Sequence, residues 1–274
     1  MTAVAFETPA PLPVEQMLLG RPAAEAAELL PRLFALCRSA QSAAARLALG
    51  LGLDAGAIDA LERDIRRDHA AFLGVILPRA LGLPVLASAA DLLGNADEIV
   101  RDCADFDRFI GGSCPIAQLL REILRRFPAG SAATGVLPLP DPQRMTSCDP
   151  IENTVAAWHR PSPVLSHVSA RFGRGPLWRV LARVLALSSP MPAPVMPRQG
   201  VAIVPASRGL YAVEAAAPGG RVARFRRWTP TGHLLAPGGI LARALETCPP
   251  GQEAALLAVL DPCQPVILKE PAHA

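Results

Sequence analysis

The sequence has one lysine, Lys269, one tyrosine, and few aromatic residues of any kind (4%). Arginine therefore supplies nearly all of the positive charge. The formal net charge is only +3, with 51% of residues hydrophobic and 19% charged. That balance excludes a disordered chain and a polybasic nucleic-acid binder. No apolar run reaches the ~20 residues that a membrane-crossing helix needs. The most apolar stretch, Ala70 to Leu86, is broken by Pro78, Arg79 and Pro84. The opening MTAVAFETPAPLP lacks the basic start, the twin arginine and the apolar segment of a secretory signal. The expectation is a cytoplasmic protein with reduced thiols and no membrane partner. None of the six cysteines falls at C-x-x-C spacing, which excludes zinc ribbons and thioredoxin-type pairs.

Proline, in contrast, is abundant. At 29 of 274 residues it stands at about twice the usual ~5%. Short helices with many corners follow, and a long coiled coil is excluded. Helical patterning begins after Pro22 and runs to about Gly50, with Pro31 restarting it. A second helix opens after Asp54 as N-cap, shows the stripe Ile58, Leu61, Ile65, Phe72, Ile76, and should end at Pro78. Further helices are expected over 96–110, over 115–126 capped by Ser113, over 151–158 and over 176–187. Residues 1–21 read as a flexible N-terminus, 128–150 and 188–200 as proline-rich connections, and 264–274 as a C-terminal tail. Strands are expected at Val201–Val204, Gly209–Ala216 and Arg221–Trp228, the last two joined by a turn at Pro218-Gly219-Gly220, before short helices near 238–247 and 252–260. The fold class is mainly α (α+β): one domain over 1–274, a helical body with a small antiparallel sheet in the C-terminal third.

Three segments carry chemistry only when taken together: Arg32 to Gln41 (RLFALCRSAQ), Ser207 to Glu246, and Asp261-Pro262-Cys263. Jointly they resemble the large subunit of [NiFe] hydrogenases. That family has R-x-C-G-x-C-x-x-x-H near one end and D-P-C-x-x-C-x-x-H at the other. Between these lie a P-R-G turn, a hairpin and a P-T pair leading into a helix. Arg32, Cys37 and Asp261-Pro262-Cys263 match the end motifs. Arg208-Gly209 matches the arginine turn, with Ser207 in place of proline, and Pro230-Thr231 matches the P-T pair. GHLLAPGGILARALE then runs gaplessly against the family's E-W-N-F-H-P-x-G-A-L-A-R-A-L-E, and weaker likeness appears at Asp68-His69, Phe109-Ile110-Gly111 and Glu152-Asn153.

The departures from the family pattern bear on function. Phe34 and Val266 stand where two of the four nickel-binding cysteines belong, Ala35 replaces the glycine, and Gln41 and Lys269 replace the two histidines. A phenyl or isopropyl group offers no lone pair, so no nickel is expected and the chain should not turn over dihydrogen. The remaining residues suit the iron half of the cluster. Cys37 and Cys263 are candidate metal ligands, while Arg208 and Thr231 match the residues that hold the two cyanides. Cys37 matches a bridging cysteine and Cys263 a terminal nickel ligand, so the family's geometry at iron does not transfer directly. Pro230, His233 and Gln41 are candidates for the surrounding layer. This pattern resembles hydrogenase expression/formation proteins of the HupK type.

The resemblance implies an accessory protein without catalysis of its own. It would hold the Fe(CN)2CO unit transiently and pass it to the hydrogenase large-subunit precursor, with an iron-carrying small chaperone among its partners. It also implies that the C-terminus is not clipped and the chain ends at Ala274. Two alternatives remain open: a metal-free interaction module or chaperone for the large subunit, and a diverged hydrogenase-like hydrogen sensor. Cys103, Cys114, Cys148 and Cys248 are expected to be packing residues, and His69 a hydrogen-bonded core histidine. The arginines of 221–228 read as the solvated side of an edge strand.

Overall fold

The computed structural model describes residues 5–10, 12–34 and 36–269. A four-stranded antiparallel meander sits against a helical body, as the sequence patterning predicts. Its strands run in order β2 (Val195–Arg198), β3 (Val201–Ala206), β4 (Gly209–Ala216) and β5 (Arg224–Trp228). A separate two-stranded ribbon pairs β1 (Ala5–Glu7) with β6 (Ile267–Lys269), and Lys269 forms an ion pair with Glu7 across it. No helix among the described residues is long and apolar enough to cross a membrane.

The sheet is covered on both faces, which is why all of β3 is buried. Alternation along β4 sends Tyr211, Val213 and Ala215 to one side, where the alanine-rich helix Arg38–Ala48 packs. Small side chains there (Ala40, Ala43, Ala44) let the helix approach the strands closely. Ala212 and Ile203 face the other way, against Met145 and Ile151.

The larger core surrounds the helix Pro176–Leu185. The stripe Leu177, Val180, Leu181, Val184 predicts one apolar face, yet all ten residues are buried. Its two arginines therefore need partners. Arg179 pairs with Glu152 at 2.7 Å, and Arg183 pairs with Asp261 at 2.9 Å while lying 3.9 Å above the Phe72 ring.

Several boundaries differ from expectation. The first helical stretch is not restarted by Pro31. Helix Ala23–Leu29 tightens into a turn at Leu30–Arg32, and the chain then breaks at Cys37 before Arg38–Ala48. Asp54 pairs with Arg46 at 2.8 Å instead of capping, and Gly56 precedes helix Ala57–Ala71. Pro78 does not stop that helix. A widened π turn at Phe72–Ile76 carries it into Leu77–Ala80, because the missing proline N–H is tolerated at the start of a new turn. The wide turn also swings Ile76 out of the stripe, leaving it 52% exposed. Gly74 within it allows residue 87 to pass so close that a Cβ would lie 2.3 Å from the Ala87 carbonyl oxygen.

The span 96–110 is two helices, Ala96–Asp102 and Phe106–Ile110, the second capped by Asp105. Cys114, not Ser113, caps Pro115–Arg126. Helix Pro163–Phe172 was not expected, the helix implied by the P-T pair starts at Pro230 itself as Pro230–Leu234, and the connection 188–200 contains β2. The described parts of 1–21 hold β1 and helix Val14–Leu18, whose Val14 and Leu18 are buried, so they are not a loose arm. Likewise β6 lies in the stretch expected to be an unstructured tail, while Ala274 falls outside the described residues.

His159 sets an acid limit on this fold. Burial holds its imidazole down at about 4. The unfolded chain binds a proton there below about 6.5 while the folded chain stays neutral, so stability is complete above that pH and is lost as pH falls towards 4. The expected loss is on the order of 3 kcal/mol. Urea denaturation at pH 7 and pH 4.5 reads it, and His159→Phe should lessen the slope, buried His69 and His233 supplying the remainder.

Candidate functional site

All seven candidate residues (Cys37, Gln41, Arg208, Pro230, Thr231, His233 and Cys263) line one cavity of about 950 Å³. The seven come from four places: the start of helix Arg38–Ala48, the β3–β4 turn, helix Pro230–Leu234, and the loop after helix Glu253–Leu260.

Cys37 sits just before its helix in a left-handed conformation (φ 54°), which costs a non-glycine residue about 1–2 kcal/mol. Its carbonyl accepts the Gln41 N–H, and its Sγ lies 3.9 Å from both Ser207 Oγ and Arg208 Nη1. Burial pushes the thiol up; the Arg208 charge opposes this and Asp68 adds to it. The group therefore stays protonated until something replaces its proton.

Arg208 occupies the two-residue turn between β3 and β4. Gly209 follows with φ 149°, pressed so near residue 153 that a Cβ would lie 2.4 Å from the Asn153 carbonyl oxygen. The Asn153 side chain accepts from Leu210 N–H at 2.7 Å and donates to the Leu210 carbonyl at 2.8 Å, locking the turn. The guanidinium expected to hold a cyanide is already engaged. Nε donates to the Asp261 carbonyl at 2.7 Å, Nη2 to its carboxylate at 3.1 Å, and Nη1 reaches Asp68 at 3.4 Å. Burial works against its charge, but the two carboxylates outweigh it and raise its pKa.

Asp261 is thus gripped by Arg208 and Arg183 together, in a left-handed conformation (φ 49°) that turns the chain towards Cys263. Thr231, 2% exposed, completes this loop: its Oγ1 accepts the Cys263 N–H at 2.9 Å. Its own O–H is left as a donor. Cys263 itself is exposed.

His233 lines the cavity, but both ring nitrogens are taken. Nδ1 faces Asn153 Nδ2 at 3.0 Å and Nε2 faces the Ser147 carbonyl at 3.2 Å. These partners fit the neutral ring protonated at Nε2, and burial lowers its pKa. It is a strut between two loops. Gln41 donates from Nε2 to the Leu36 carbonyl at 2.9 Å, while its buried Oε1 has no partner.

The sequence likeness extends over the whole chain. It is 42% identical, over an alignment of 289 positions, to the hydrogenase expression/formation protein HupK of Rhodobacter capsulatus, covering 99% of this chain and 95% of that protein. The chain belongs to the HupK family of hydrogenase expression/formation proteins. No family model matches the sequence.

In this HupK-family chain three positions that depart from the hydrogenase motifs have other contacts. The Phe34 ring carries the Arg227 guanidinium at 4.7 Å, Val266 packs against the large core, and Lys269 pairs with Glu7. Among the described residues, no three His, Cys, Asp or Glu side chains are placed to share one ion. Cys103 is buried, and Cys114 and Cys248 pack against the core as expected. Cys148 does not: it is exposed on the cavity wall, on the loop held by His233. His69 is fully buried, but neither ring nitrogen has a partner, so it is not the hydrogen-bonded histidine expected; burial and Arg183 keep it neutral.

Arg227 and Tyr211 also line the cavity, and the sequence reading passed over both as site residues. Arg224 and Arg226 are exposed on β5 as expected. Strand alternation was the signal available for Tyr211, two residues after Gly209 on the helix-facing side.

Proposed function

We propose that this HupK-family protein is a non-catalytic platform for hydrogenase maturation. It holds the Fe(CN)2CO unit as cargo and passes it to the hydrogenase large-subunit precursor, receiving it from an iron-carrying maturation factor. The observation that supports this reading is that the two candidate thiols, Cys37 and Cys263, line a single cavity together with the Arg208 guanidinium and the Thr231 hydroxyl, all drawn from distant parts of the sequence. Low-spin iron favours soft thiolate ligands. Binding at Cys37 releases a proton, since burial keeps that thiol in its acid form. The Thr231 hydroxyl is a free donor for a cyanide nitrogen. Nickel has no counterpart site, because Phe34 and Val266 cannot ligate it.

The test is an infrared spectrum of the chain purified without oxygen from cells making hydrogenase. Cyanide and carbonyl stretching bands are the expected result. Their absence, in protein made alongside its maturation partners, defeats the cargo reading.

One observation favours a second reading, a metal-free chaperone of the large-subunit precursor. Arg208 is so fully engaged by Asp261 and Asp68 that its role is met without cargo. Co-purification of the precursor with a chain free of iron and of both bands would select it.

A further inference from the structure

On the cavity wall, the buried Gln41 Oε1 has no hydrogen-bond partner, and the buried Tyr211 hydroxyl has a donor beside it, Arg227, but no acceptor for its own proton. Buried hydroxyls are nearly always bonded in folded proteins, so an orphan on a cavity wall marks a place for a ligand. Tyr211 is the sequence's one tyrosine. It lies in β4 opposite Val204 and is 4% exposed, with its ring packed in the cluster between the sheet and helix Arg38–Ala48. The ring is fixed and the hydroxyl is left over.

The chemistry of this hydroxyl is that of a donor. Burial pushes the phenol up to about 12, against the pull of the neighbouring Arg227, so it keeps its proton at neutral pH. A guanidinium has no acceptor, so Arg227 leaves the phenol's O–H free whatever its own position. Tyr211 shares the cavity wall with both candidate thiols, Cys37 and Cys263. Arg208, the donor that the hydrogenase resemblance nominates, spends its fork on Asp261 and Asp68. A cyanide carried on iron is a strong acceptor at nitrogen, whereas a bound carbonyl oxygen is a weak one.

We infer that the Tyr211 hydroxyl donates a hydrogen bond to a cyanide nitrogen of the iron unit held between Cys37 and Cys263, in the place expected of Arg208. This rests on the cargo reading above. Thr231 would serve the other cyanide.

Infrared spectra of the wild-type protein and Tyr211→Phe, both purified without oxygen alongside the maturation partners, test it. The substitution keeps the ring and removes only a hydroxyl whose proton has no protein acceptor, so the fold should survive. The expected result is a shifted cyanide band and a carbonyl band at lower wavenumber, because losing the hydrogen bond returns electron density to iron and thence to the carbonyl. Bands unchanged in Tyr211→Phe overturn the inference while leaving the cargo reading intact. Bands missing from the wild type overturn the cargo reading and this inference with it. If the variant does not accumulate, fluorotyrosine incorporation labels this one position. A fluorinated phenol is a stronger donor and should move the carbonyl band upward; an unmoved band there counts against the inference equally.

Discussion

Cys37→Ser and Cys263→Ser are each expected to remove the cyanide and carbonyl bands and to depress hydrogenase formation in the host cell. Serine keeps the shape of the side chain but replaces a soft sulfur with a hard, weakly acidic hydroxyl, a poor ligand for low-spin iron. Loss of a supporting outer group in a metal site already costs ~10–100-fold in affinity, and loss of a direct ligand should exceed that. Cys114→Ser is the matched control. Cys114 caps helix Pro115–Arg126 through its sulfur at 3.4 Å from the Ala117 nitrogen, a position where serine is a preferred cap. Equal losses from all three variants would show that general damage to the fold, not ligation, is being measured. Normal hydrogenase formation with both site variants would leave the metal-free chaperone reading in possession.

The second large effect concerns stability. Arg179→Leu should destabilise the protein by about 3–5 kcal/mol, because it strands the Glu152 carboxylate, 1% exposed, without its partner. Changing both residues at once, Arg179→Met with Glu152→Gln, should recover much of that loss, since no uncompensated charge then remains inside. Urea denaturation at pH 7 distinguishes the two outcomes. A cost below about 1 kcal/mol for the single change would place the pair among surface ion pairs. Glu152 precedes the asparagine that clamps the β3–β4 turn, so the weakened variant should also lose order around Arg208.

The sheet and most helices were legible because their signals are local. Alternation marked β3 and β4, and the Pro218-Gly219-Gly220 turn announced β5. The errors arise where tertiary contact overrides local preference. Pro78 reads as a stop, but a widened turn absorbs it. Helix Pro176–Leu185 reads as one-faced because its arginines look solvated, and only the distant Glu152 and Asp261 make their burial tolerable. β6 is invisible in a tail whose pairing partner lies at the opposite end of the sequence. The site residues were named through family resemblance, which spoke to identity and not to occupancy. It could not show that Asp261 would claim the Arg208 fork, or that the Tyr211 hydroxyl would be left without an acceptor.

The β1–β6 ribbon brings residues 5 and 269 side by side, and its neighbours Pro9 and Pro265 line the cavity. A fluorescent label placed beside either strand of the ribbon, at Pro9 or Pro265, will therefore sit at the cavity. There it can crowd out a visiting protein. Placement elsewhere, for instance in the exposed turn around Gly219 and Gly220, keeps the approach clear.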